Sequence, residues 1–124
     1  MKLWSLTTSS PRGIARRAEK AERDGWAGVG VTDSQNLAGD AWVALSLISA
    51  ATERLEFGTS VTNPITRHPA VTAAAAHALA VTSGGRVTVG IGRGDSALAH
   101  LGRAPASVAH TAVSYTHLTL PTRS

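Results

Sequence analysis

Three short polar clusters carry the side chains of this chain that could bind an organic molecule. They are Asp33 with Ser34, the SVTNP segment that begins at Ser60, and Arg93–Ser96, which reads RGDS. Carboxylate, hydroxyl, amide and guanidinium groups orient small ligands through hydrogen bonds. The expected chemistry is therefore ligand binding, and no side chain is assigned as a catalytic acid or base.

Several of these residues also have a purely local interpretation. Asp33 is either a hydrogen-bonding or acid–base group at a site, or a cap for the turn that follows it. Asn63 precedes Pro64, which favours an extended backbone and a turn that holds the amide in one direction. His68 could donate to a ligand, or it could serve only as a hydrogen-bond partner at the start of a helix.

The RGDS tetrapeptide is known from cell-adhesion ligands, so an adhesion or binding module is one possible function. So short a motif is weak evidence. Gly90 and Gly92 also begin a dinucleotide-binding fingerprint, but its third glycine falls at Asp95, where a carboxylate would repel a pyrophosphate. The two glycines are expected either to turn the backbone sharply and let it approach a planar ligand, or to be turn residues alone.

The elements that would position these clusters alternate between strand and helix. Strands are predicted over 2–6, 26–32, 55–61 and 87–92, with the fourth strand buried, and helices over 11–25, 41–53 and 69–82. Ser10 and Asp40 are the expected N-caps of the first two helices. This order predicts a parallel α/β fold, in which all three clusters follow carboxyl ends of strands and meet on one rim.

Composition excludes several other classes of protein. The chain has 124 residues, no cysteine and a net charge of +4 without a basic cluster, so one domain is expected and nucleic-acid binding is not. The five histidines lack metal-ligand spacing, and no metal is expected. No apolar run is long enough for a membrane span or a signal peptide, which predicts a cytoplasmic protein without membrane association.

Three segments in this order resemble the luciferase-like monooxygenase superfamily, and within it the methylenetetrahydromethanopterin reductase-like oxidoreductases. They are AEKAERDGWAGVGVTDSQNL, TERLEFGTSVTNPITRHPAVTAAA and SGGRVTVGIGRGDSALAHLGRAPA. The resemblance runs from about Lys2 to Thr111. It implies a TIM (β/α)8 barrel that binds FMN or coenzyme F-420 across the carboxyl ends of its strands and transfers hydride to or from a small organic substrate.

The resemblance also implies site residues. A bulge with a non-prolyl cis peptide maps to Ser60 and Val61, Asp33 matches an acidic residue after the second strand, and Arg93–Asp95 match the turn after the fourth. The full set of expected cofactor-binding residues is Asp33, Ser60, Val61, Asn63, His68, Gly92, Arg93, Gly94 and Asp95.

Two features depart from the family. Four βα units make only the N-terminal half of an eight-stranded barrel, so residues 1–112 are interpreted as an incomplete domain that is inactive alone and exposes an edge prone to self-association. The parent protein could be a homo-oligomer. Residues 113–124 resemble the translation of a transposase-type sequencing adapter, which predicts a non-native tail.

Overall fold

The computed structural model describes residues 1–119, which form four strands and five helices. Strands and helices alternate through β4, and two further helices follow it. The elements are β1 (Trp4–Thr7), α1 (Ile14–Arg23), β2 (Gly28–Val31), α2 (Ala41–Ala51), β3 (Glu56–Thr62), α3 (Pro69–Ser83), β4 (Val87–Ile91), α4 (Asp95–His100) and α5 (Val108–Thr119).

The strands form one parallel sheet in the order β1-β2-β3-β4. Leu6, Gly30, Gly58 and Thr88 stand in one row across the four strands. The predicted alternation of strand and helix is therefore confirmed. All four carboxyl ends lie at the same edge of the sheet, as the parallel topology requires.

The helices α1, α2 and α3 pack on one face of the sheet and form the core with it. Ile14 of α1, Leu45 and Ile48 of α2, Val31 of β2 and Phe57 of β3 are each no more than 1% exposed. Burial of each such side chain contributes about 1.5–3 kcal/mol to the stability of the fold. This core therefore holds the three helices against one face of the sheet.

Local signals explain most helix starts, with one correction. Asp40 caps α2 by accepting from the amides of Trp42 and Val43 at 2.8 and 3.0 Å. Ser10, the expected cap of α1, does not take that role, because the helix begins later, after Gly13 with φ 80°. Arg17 instead ties this loop together by donating to Thr7 Oγ1 at 3.1 Å and to the carbonyl of Ser10 at 3.3 Å.

Arg86 joins the amino end of β4 to the neighbouring elements. Its guanidinium donates to Thr52 Oγ1 at 2.8 Å and to the carbonyl oxygens of Leu55, Ser49, Thr52 and Ser83 at 2.9–3.1 Å. The same group lies 5.3 Å from the ring centre of Phe57. These bonds satisfy carbonyls at the end of α2 that the helix itself leaves unpaired.

The second face of the sheet carries exposed apolar side chains. Trp4 and Leu6 of β1 are 39% and 64% exposed and lean across the glycines of β2. A Cβ on Gly28 would lie 2.4 Å from Trp4 Cε2, so only glycine fits beneath that indole. Within residues 1–119, no helix has the length and apolar character that crossing a membrane requires.

The expectation of a buried fourth strand is wrong. Most of β4 is half-buried and Thr88 is exposed, because β4 is the last strand of the sheet in the described part of the chain.

The helix α5 begins before residue 113 and runs through the first part of the predicted non-native tail to Thr119. The adapter origin of that tail stays a prediction, and residues 120–124 lie outside the described residues.

Candidate functional site

A cavity of about 300 Å³ opens at the carboxyl ends of β2, β3 and β4. It brings together seven of the nine expected residues, from all three polar clusters. Its lining comprises Thr32, Asp33, Ser34, Ser60, Val61, Gly92, Arg93, Gly94, Asp95, Ser96 and Ala97. The three polar clusters therefore meet on one rim of the sheet, as predicted. The cavity volume lies at the lower end of the range for small-molecule sites.

Asp33 is buried at the back of this cavity, with 6% of its surface exposed. Its Oδ2 accepts from Thr62 Oγ1 at 2.7 Å, and its Oδ1 accepts from Gln35 Nε2 at 2.6 Å. Burial raises the pKa of this carboxyl above its ordinary value, since loss of water disfavours the charged form more than the hydrogen bonds of Thr62 and Gln35 favour it. Both oxygens of Asp33 are thus already engaged within the chain.

Ser60 and Val61 form a bulge in β3 that faces the cavity. Thr59 pairs with Val89 and Thr62 with Ile91, so β3 uses one more residue than β4 over this stretch. The peptide bond between Ser60 and Val61 is cis, as expected. Both side chains are exposed, and Val61 is 47% exposed.

Gly90 in β4 and Gly92 just after it accommodate this bulge. A Cβ on Gly90 would lie 2.5 Å from the carbonyl oxygen of Thr59, and a Cβ on Gly92 would lie 2.8 Å from Val61 Cγ2. Neither glycine has a positive φ. Close approach of β3 therefore accounts for both glycines. Gly90 stands inside β4 and does not turn the chain, and the expected approach of the backbone to a planar ligand stays a prediction.

Asn63 lies behind the cavity wall and does not line it. Its Oδ1 accepts from the amides of Ile65 and Thr66 at 2.9 and 3.0 Å, which is the predicted turn. Gly94 packs directly against this side chain, since a Cβ there would lie 2.8 Å from Asn63 Cβ. Within the described residues the buried Asn63 Nδ2 has no hydrogen-bond partner.

The RGDS segment joins β4 to α4 and includes the first two residues of α4. Arg93 Nε donates to the carbonyl of Ala106 at 2.7 Å, Gly94 is the N-cap of α4 with φ 82°, and Asp95 is its first residue. Three of the four residues are thus committed to backbone turning or helix initiation. This geometry gives no support to the adhesion module considered as the alternative function.

His68 is separated from the other candidates. Its Nδ1 accepts from the amide of Ala70 at 3.1 Å and caps α3, with Pro69 at the first helical turn. The imidazole lines a different cavity of about 420 Å³, together with Pro64, Ile65, Pro69, His110, Val113 and Ser114. The local interpretation of His68 therefore describes its place in this structure.

Sequence reasoning missed four residues that hold the site together. Thr59, Thr62 and Gln35 fix the bulge and Asp33, and Ala106 fixes Arg93. Gln35 is two residues from Asp33 and was open to local reasoning, whereas Thr59, Thr62 and Ala106 bond to residues 31, 29 and 13 positions away that only the fold brings close. The sequence shows only that a threonine stands on each side of the bulge. Among residues 1–119, no group of three or more metal-binding side chains is placed to hold a metal ion.

Known proteins share the sequence pattern and the fold of this chain. The family model described as luciferase-like monooxygenase matches residues 2–117. A 5,10-methylenetetrahydromethanopterin reductase of Methanolobus tindarius is 39% identical over 66 residues, which are 53% of this chain and 20% of the relative. The chain thus matches only a fraction of the length of that curated relative.

Solved structures give the same fold. The coenzyme F-420-dependent tetrahydromethanopterin reductase of Methanopyrus kandleri superposes with a TM-score of 0.76 at 30% identity, over 82% of this chain and 30% of that protein. The oxygenating component of 3,6-diketocamphane monooxygenase of Pseudomonas putida, solved with FMN, gives a TM-score of 0.78 at 16% identity, over 95% and 38% of the two chains. The four-stranded sheet is therefore part of a larger barrel fold.

Proposed function

Because the chain belongs to the luciferase-like monooxygenase family, we propose that it is part of an oxidoreductase that transfers hydride between coenzyme F-420 and a small organic substrate. The observation that carries this proposal is the cavity at the carboxyl ends of three strands, walled by the exposed Ser60–Val61 bulge. Coenzyme F-420 is preferred to FMN since the relatives at 39% and 30% identity are methanopterin reductases, whereas the FMN complex shares only the fold at 16% identity.

The residues present fit a planar ring. Gly92 and Gly94 line the cavity with backbone alone, and Val61 offers an exposed apolar side chain in the same lining as the hydroxyls of Ser60 and Ser96. Ring systems bind in clefts of this kind, where an apolar wall supplies contact and a few polar groups fix orientation. When bound, the cofactor would supply the hydride chemistry.

The residues of this chain would bind and orient the reactants. Ser60 and Val61 would support one side of the ring, Arg93 would supply the positive charge at the rim, and the buried Asp33 would hold the side chain of Thr62 beside the bulge. Asn63 and Gly94 would support the turn from behind. No proton donor is assigned among these groups.

We also infer that residues 1–112 are an incomplete domain without activity of their own. Ring closure requires about eight strands, and the described residues contain four, which leaves the outer edge of β4 and the apolar side chains of β1 uncovered. Because residues 113–124 resemble a translated sequencing adapter, we infer that they do not belong to the natural protein. Adapter-free sequencing of the gene past codon 112 tests this; recovery of the same tail would contradict it.

The decisive experiment for the function uses the continued gene product. Coenzyme F-420 and FMN are titrated into the extended protein and into the 124-residue chain, with binding followed by cofactor fluorescence. The extended protein is expected to bind coenzyme F-420 more tightly than FMN and to oxidise or reduce it with a tetrahydropterin-type substrate. Binding of neither cofactor by the extended protein would contradict the proposal.

A further inference from the structure

Threonine hydroxyls fix the β3 bulge at both of its ends. Thr59 Oγ1 donates to the carbonyl oxygen of Gly90 at 2.8 Å, and Thr62 Oγ1 donates to Asp33 Oδ2 at 2.7 Å. Between them, Ser60 and Val61 are exposed and line the cavity. The position of this wall therefore depends on one hydrogen bond to β4 and one to the segment that follows β2.

The bond between Thr62 and Asp33 is the more deeply buried of the two. Thr62 is 0% exposed and Asp33 is 6% exposed, so water does not replace either partner when the bond breaks. Gln35 Nε2 occupies the other carboxylate oxygen at 2.6 Å and holds the group in its orientation. The carboxylate of Asp33 therefore bonds to Thr62 and Gln35 and is not free to bind a ligand in the cavity.

Thr62 also connects the bulge to the turn after β4. Its carbonyl oxygen accepts from the amide of Gly92 at 2.8 Å, while its hydroxyl reaches Asp33. One residue therefore joins the carboxyl ends of β2, β3 and β4 at the cavity rim. Movement of Thr62 would shift Val61 on one side and Gly92 on the other.

We propose that Asp33 and Thr62 are positioning residues whose hydrogen bond sets where Ser60 and Val61 stand in the cavity, and hence how closely a planar ring seats against them. The identity of that ring rests on the proposed function. The position of Ser60 and Val61 does not rest on that function, and it can be measured without a ligand.

The first test follows amide hydrogen exchange in the full 124-residue chain. Thr62→Val keeps the side-chain shape and removes the hydroxyl, whereas Thr62→Ser keeps the hydroxyl. We expect exchange of the Gly92 amide to accelerate about threefold to tenfold in Thr62→Val and to stay within about twofold of wild type in Thr62→Ser. Thr72→Val, at a buried threonine of α3 outside the cavity, is the matched control.

A double-mutant cycle separates the hydrogen bond from packing. Asp33→Ala removes the acceptor and is expected to accelerate the Gly92 amide by a comparable factor, and the double variant with Thr62→Val no further. The Ala44 amide, which donates to the carbonyl oxygen of the N-cap Asp40 at 3.1 Å, reports any general loss of stability. Equal acceleration in Thr62→Ser and Thr62→Val, or none beyond that of Thr72→Val, would overturn the proposal.

The second test titrates coenzyme F-420 and FMN into the extended protein carrying the same variants. The Kd is expected to rise about threefold to tenfold in Thr62→Val and to return to the wild-type value in Thr62→Ser. Accelerated exchange with an unchanged Kd would show that the wall does not seat the ring. If even the wild-type protein binds neither cofactor, the proposed function fails, while the exchange result still decides the positioning role.

Discussion

Arg93 and Ala106 hold each other through two hydrogen bonds that run in opposite directions. Arg93 Nε donates to the carbonyl of Ala106 at 2.7 Å, and the amide of Ala106 donates to the carbonyl of Arg93 at 2.9 Å. Ala106 is 3% exposed, so the segment after α4 is anchored at the rim of the cavity. The guanidinium is thereby held where it lines the candidate site.

Replacement of Arg93 should release this segment. In Arg93→Ala the side-chain bond is lost and the backbone bond remains, and we expect cleavage between residues 101 and 107 by a limiting amount of protease to become about threefold to tenfold faster. Mass spectrometry of the fragments measures it. Arg103→Ala, an exposed arginine in the same segment, should leave the cleavage rate unchanged; equal effects from both variants would contradict the anchoring role.

Gly90 in β4 and Gly92 just after it should differ in their tolerance of a side chain. Gly90→Ala places a Cβ 2.5 Å from the backbone oxygen of Thr59, whereas Gly92→Ala meets the end of the Val61 side chain at 2.8 Å, which can rotate away. We expect Gly90→Ala to lower the free energy of unfolding by about 1–3 kcal/mol, and Gly92→Ala by clearly less. Urea denaturation checks this, and the reverse order would be inconsistent with the observed packing.

Arg86 should be a main stabilising residue at the opposite end of the sheet. Arg86→Ala leaves the carbonyls of Ser49, Thr52 and Leu55 without their donor, for an expected loss of about 3 kcal/mol in the free energy of unfolding. Arg86→Lys should keep only part of this unfolding free energy, because an ammonium lacks the planar array of five donors. Arg16→Ala on the exposed face of α1 is the control, and a similar loss there would refute the interpretation.

Glu22 should make stability depend on acidity. Burial raises the pKa of this carboxyl, but the backbone amides of Arg54, Leu55 and Glu53 favour its charged form more strongly, and the pKa is lowered overall. A lowered pKa means that the carboxylate stabilises the fold above its unfolded-state pKa. That contribution is lost as the pH falls through the folded-state pKa.

Glu22→Gln tests this assignment. The variant should lose about 1 kcal/mol of unfolding free energy at neutral pH, a modest figure because Glu22 is only half-buried, and should lose less than wild type on acidification. Chemical denaturation at neutral and acidic pH measures both quantities. Glu19→Gln on the same helix serves as control, and a pH dependence that Glu22→Gln leaves intact would exclude the role.

The uncovered face of the sheet should drive self-association of the 124-residue chain. Leu6 stands on that face at 64% exposure, and Leu37 is equally exposed at 63% in the loop after β2. Leu6→Glu is expected to shift the chain toward monomer in sedimentation velocity, and Leu37→Glu to have little effect. A monomeric wild-type chain would show that the open face does not self-associate.

The sequence did not predict α4 and α5. It did predict the alternation of strands and helices through β4, the Asp40 cap and the Asn63 turn, and the family resemblance implied the bulge at Ser60 and Val61. These features depend on neighbouring residues or on a run of specific motifs in order. Parallel topology then placed Asp33, the bulge and Arg93 on one rim, because strands that run the same way share a carboxyl edge.

The tertiary structure alone decided which side chains complete the site and what the glycines do. Asp33 meets Thr62 at 29 residues' separation, Arg86 meets Ser49 at 37, and Gly90 faces Thr59 because two strands approach closely. His68 was expected at the cofactor site, with a hydrogen-bond role at the helix start as the open alternative, and the fold gives it that second role as the cap of α3. Contacts between distant residues depend on the packing of whole elements, and no local spacing encodes them.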